Sequence, residues 1–224
     1  VLWLDAPEAA LSPLTDAASA GLPLIAYNRG GLSLPAGVAE ISVAAEDVAL
    51  DALNAAIAYP PHDTPVRMLG VFAADGEAKT FFTDAVSEGR VLDKGTHVEQ
   101  DEASLEDWLT KRLSQLYPGM LDAVYADTPA LAVRVTETMT SLERNDFEVF
   151  CAGSSAALST LAAAHPEILP VLTGVDDAAA GRACGEAALL AATGATPDSV
   201  VLTPAPAQQA TPTAPAEETP APAV

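Results

Sequence analysis

GLPLIAYNRGG, residues 21–31, is the stretch on which the fold turns. Gly21 and Pro23 stop a helix and release the chain into a short apolar run, Leu24 to Tyr27. Glycine accepts the left-handed conformation that ends a helix, and proline cannot continue one. A run this short and apolar, bounded by Gly and Pro, reads as a buried strand. It closes on an amide and a guanidinium, Asn28 and Arg29. In an α/β sheet the loops at the carboxyl ends of strands open onto the crevice where ligands sit. Asn28 and Arg29 therefore stand where a small polar molecule would be held, or else they solvate an exposed loop.

Outward from this strand, β-like and helical runs alternate. Strand-like runs are expected at 1–4, 24–27, 38–43, 68–73, 89–92, 121–126, 147–152, 169–173 and 200–203. Helical patterns fill 7–20, 46–58, 78–87, 104–116, 130–144, 155–165 and 177–193. In the helix from Ser104, the serine can cap the amino end with Asp107 three residues on. Leu105, Trp108, Leu109, Leu113 and Leu116 then recur on one face, and Pro118-Gly119 ends it. Strands alternating with helices predict an α/β fold with parallel sheets.

Composition narrows the function. The chain carries 31 acidic and 10 basic residues, a formal charge of −21. A field of that sign repels phosphate backbones and anionic lipid, which argues against nucleic-acid binding through these residues. No apolar run approaches the roughly 20 residues a membrane span needs. VLWLDAP (1–7) has no basic leader and reads as a core strand. Cys151 and Cys184 lie in apolar runs without metal spacing and read as small buried residues. Residues 203–224 hold six prolines, seven alanines and no basic residue, the composition of a disordered or polyproline-like tail.

Several segments together resemble the type I periplasmic-binding-protein family, which includes sugar-binding proteins of ABC transporters and LacI-type regulators. VLWLDAPEAALSPLTDAASAGLPLIAYNRG (1–30) resembles that family's third strand, its helix and the strand closing in Asp-Arg. GVAEISVAAEDVALDALNAAIA (37–58) resembles the crossover into the second lobe, and PGMLDAVYADTPALAVRV (118–135) the strand and helix bearing its Asn-Asp pair. EVFCAGSSAALSTL (148–161), ILPVLTGVDDAAAGRACGEAALLAATG (168–194) and VVLTPA (200–205) come next, in the family's order.

The resemblance implies two Rossmann-like lobes. The first would be partial, built from 1–42 and 175–197, because two opening βα units of about 60 residues have no counterpart and the chain reads as a fragment. The second would span 43–174 plus 198–204, with 205–224 as tail. By position in the resemblance, the ligand contacts fall on Asn28, Arg29, Asp127, Thr128 and Ser154. Most have drifted: Asn28 replaces the family's Asp, Thr128-Pro129 its Asn-Asp pair, and Gly153 the Asp of the next loop, while Lys79 stands near a lost arginine. Thr128 and Ser154 have a second reading as helix caps, with Pro129 at the first helical position.

The role implied by the resemblance is that of a solute-binding protein, closing on a sugar or similar small polar ligand. It would pass that ligand to the membrane components of an ABC transporter outside the cytoplasm. Two other readings stay open: the effector-sensing domain of a LacI-type transcription regulator, and a degenerate interaction module that no longer binds. No enzyme, cofactor or metal is expected. His62, His97 and His165 share no spacing, Asp176 and Asp177 open a helix where negative charge suits the dipole, and no nucleophile has an activating neighbour.

Overall fold

The computed structural model describes residues 2–4, 11–28, 33–60, 62–99, 104–174 and 177–209. Its first sheet is parallel throughout, in the order β1-β2-β3-β9: β1 (Leu2–Leu4), β2 (Leu24–Asn28), β3 (Val38–Val43) and β9 (Val200–Leu202). The side chains of β2 alternate, as a pleated strand requires. Leu24 and Ala26 meet Leu14 of α1 (Leu11–Ser19) on one face. Ile25 and Tyr27 meet Ala180, Cys184 and Ala187 of α7 (Asp177–Ala192) on the other. The small residues of α7 let the helix lie close on the sheet.

The second sheet is also parallel, ordered β5-β4-β6-β7. β4 (Val66–Phe72) and β6 (Ala123–Ala126) are central and covered on both faces, so both read as nearly unbroken apolar runs. β7 (Glu148–Cys151) flanks β6, and β5 (Val91–Val98) forms the other edge. Below lie α2 (Ala45–Ala58) and α3 (Glu77–Ser87), packed on Met68, Phe72, Tyr125 and Phe150. Above lie α4 (Leu105–Leu113), α5 (Pro129–Ser141) and α6 (Ala156–Ala164), packed on Leu69, Val71, Val124 and Cys151. Gly70 has a packing reason: a Cβ there would lie 2.6 Å from the buried Phe72 ring.

Three segments differ from expectation. Residues 198–204, expected in the second lobe, return to the first sheet, where Val200–Leu202 pairs in parallel with Ile41–Val43. The short run after α7 brings the chain straight back beside β3. The tail expected from residue 205 begins instead as β10 (Ala205–Gln209), antiparallel to β8 (Val171–Gly174) with a register shift between Ala205 and Gln208. Prolines read against a strand, but an edge strand with a bulge tolerates Pro206. Residues 210–224 lie outside the described residues. Finally, β5 runs on to Val98, past the expected end at Leu92. Gly95, at φ 145°, absorbs the register shift between Met68 and Leu69, and a polar edge strand reads as loop.

Both cysteines are buried free thiols. Among the described residues no helix is long and apolar enough to cross a membrane.

Candidate functional site

The carboxyl ends of both sheets face a common cleft of about 500 Å³. β2 and β3 bring Asn28, Glu40 and Ser42 to it from the first sheet. From the second come Asp127 at the end of β6 and Gly153 and Ser154 after β7, joined by Gly174 at the end of β8, the partner of β10. Glu46, in the first turn of α2, stands where the chain passes from one sheet to the other.

Each polar side chain is set by its strand. Asn28 ends β2 with only 2% of its surface exposed, and its Nδ2 donates to Glu40 Oε1 at 2.6 Å. Glu40 is anchored in turn, its backbone N–H donating to Ser199 Oγ at 3.0 Å. Asp127 sits one residue beyond β6. The N–H of Ala73 donates to both its carboxylate oxygens at 3.0 Å, and its own N–H donates to Val71 O at 3.1 Å. Burial raises the Asp127 pKa above the ordinary carboxylate value, against the pull of the Ala73 hydrogen bond.

The two serines after β7 divide their roles. Ser155 caps α6, accepting from Leu158 N at 3.1 Å, while Ser154 lines the cleft. A Cβ on Gly174 would lie 3.1 Å from Ser154 Oγ, so glycine is what lets the two loops approach. Thr173 ties them together by donating to Cys151 O at 2.5 Å. Thr128 caps α5, accepting from Leu131 N at 3.4 Å, with Pro129 as the first helical residue. The wall of the cleft is made by Pro129, not Thr128. Arg29 lies outside the described residues. Lys79, on α3, pairs with Asp75 just before the helix, and neither lines the cleft.

No protein-family model matches this chain, and no curated protein is found by sequence comparison. Solved structures do match. A mutant XylFII–LytSN complex superposes with a TM-score of 0.65 at 10% identity, over 91% of this chain and 80% of that one. A sugar ABC transporter protein from Yersinia enterocolitica gives 0.59 at 11% identity, over 91% and 62%. A periplasmic sugar-binding protein from Pseudomonas fluorescens gives 0.57 at 16%, over 94% and 68%. This is the type I periplasmic-binding-protein fold.

Within the binding-protein fold, the cleft lies between the lobes, bounded by the strand ends of each. Asn28, Asp127 and Ser154 are brought together there, and Thr128 serves the scaffold beside them. Glu40, Ser42 and Glu46 were not singled out from the sequence. A signal for two of them existed: in VAEISV the buried Ala39 and Ile41 alternate with Glu40 and Ser42, which share one face of β3. None of the three histidines lines the cleft. His62 bonds Glu148 at 2.9 Å, His97 packs on Trp108, and His165 lies 3.5 Å from Glu167. Among the described residues no group of acidic, histidine and cysteine side chains is arranged to hold a metal. The Cys151 thiol is fully enclosed, and burial pushes its pKa up, away from a reactive thiolate.

Proposed function

We propose that this chain is a solute-binding module that closes its two lobes on a small polar, sugar-like ligand. The observation that carries the reading is the cleft itself. It draws Asn28 and Glu40 from one sheet and Asp127 and Ser154 from the other, so one small molecule can bridge both lobes. Convergent acceptors and hydroxyls on rigid strand ends suit hydroxyl-rich solutes, whose affinity rests on oriented hydrogen bonds. Solved structures sharing the fold include a sugar ABC transporter protein and a periplasmic sugar-binding protein, which supports the same ligand class. On this reading the loaded form acts outside the cytoplasm and is offered to the membrane components of an ABC transporter.

A second receiver has its own support. Structures of this fold are seen in XylFII–LytSN and TorS sensor domain–TorT complexes, so a sensor can take the transporter's place as partner. The ligand claim is common to both versions and is tested first. A thermal-shift screen of neutral, aminated and acidic pentoses and hexoses should raise the unfolding midpoint for at least one class. A ligand at 100 times its Kd adds about 2.7 kcal/mol of stability. If no sugar or other small polar solute moves the midpoint, the non-binding interaction module replaces this reading.

A further inference from the structure

The cleft residue best built to choose among ligands is Glu40. Asn28 is almost fully buried, and its Nδ2 is spent on Glu40 Oε1 at 2.6 Å. The backbone of Glu40 is held by Ser199, which fixes the residue at both ends. Its second oxygen, Oε2, has no donor among the described residues, and the residue lines the cleft. Half-buried carboxylates elsewhere are treated differently: Asp122 is paired with Arg67, Asp146 with Arg144, and Glu148 with His62. Among the described residues Glu40 is left with an oriented oxygen and no cation.

The rest of the wall does not reverse that preference. Asp127 and Glu46 add two carboxylates, and no lysine or arginine is among the described lining residues. Arg29, if counted in full, would still leave the three carboxylates in excess. Of the helix amino ends at the cleft, α5 is capped by Thr128 and α6 by Ser155, while α2 has no side-chain cap and carries the negative charges of Glu46 and Asp47 in its first turn. An anion arriving there would meet a negative wall with no spare cation among its described residues.

We infer that Glu40 is the specificity-determining ligand contact, with Asn28 as its positioning residue, and that the cleft takes solutes presenting hydroxyl or ammonium donors while rejecting acidic ones. This rests on the solute-binding reading. Three matched probes test it by isothermal titration: D-glucose, D-glucosamine and D-glucuronate, with the matching pentoses and hexoses of each class behind them. The wild-type chain should bind neutral or aminated members and not the uronates.

Glu40→Gln keeps the size of the side chain and its bond to Asn28. It should weaken binding by about 10- to 100-fold, the worth of a hydrogen bond to a charged group. It should also pull the ratio of amino-sugar to neutral-sugar affinity toward one, a change that a purely structural role would not cause. Asn28→Ser should weaken binding in the same direction while Glu40 itself is intact. Uronate binding as tight as the neutral sugar, or an unchanged affinity in a folded Glu40→Gln protein, overturns the assignment alone. Absence of any binding by wild type, across all three classes, brings down the parent reading with it.

Discussion

At the residue scale, Asp127 shows the cost of a binding group. Burial raises its pKa, so the ionised carboxylate is disfavoured in the folded chain. A carboxyl raised in this way contributes its stability below the unfolded pKa and loses it as pH climbs through the folded one. At neutral pH, then, the charge works against folding. Asp127→Asn keeps an acceptor for Ala73 N and removes the charge. The unfolding midpoint at pH 7 should hold or rise, and the difference from wild type should vanish toward pH 3–4. Solute affinity should fall about 10-fold or more, as expected for a lost charged hydrogen bond. Urea melts at several pH values and titration calorimetry read the two effects separately.

His62 makes the opposite kind of statement, about scaffold and not site. Burial would lower its pKa, but hydrogen bonds to Glu148 and to the Ala56 carbonyl outweigh burial and raise it above the ordinary 6.5. The imidazolium thus helps fasten the end of α2 to β7. Its contribution is complete below about pH 6.5 and drains away as pH rises through the higher folded value. The midpoint of unfolding should therefore decline over that window, and His62→Gln should flatten the decline. An unchanged slope in the variant would assign the pH dependence to other groups.

At the scale of elements, hydroxyl caps separate scaffold from cleft. Thr128→Ala removes the acceptor for Leu131 N and should cost about 1 kcal/mol of stability. Because Pro129 and Asp127 make the wall beside it, solute affinity should move little. A large loss of affinity with stability intact would put Thr128 back in the site. The same contrast shows what was legible beforehand. The helices were readable from periodicity and caps, as at Ser104, whose Oγ does accept from Asp107 N at 3.2 Å. The strand ends bearing Asn28 and Asp127 were readable because an apolar run stopped at a polar residue.

What could not be read was partner choice. β9 is three residues long, and nothing in VVL says which sheet it joins. β10 was hidden by Pro206, which an edge strand with a bulge tolerates. Glu40 was hidden for another reason. Its meaning depends on Asn28, twelve residues away along the chain and one strand over in space. Side-chain type and spacing do not report such a contact until β2 and β3 are paired in register.

For the molecule as a whole, the proposed binding mode puts a small polar solute between the two sheets, in contact with both. Chemical-shift mapping by two-dimensional NMR on the labelled chain, titrated with the best solute from the thermal screen, tests it most directly. Perturbed amides are predicted at Asn28 and Ser42 on one side and at Asp127, Gly153, Ser154 and Gly174 on the other. Perturbations confined to one sheet, or gathered away from these strand ends, would contradict it.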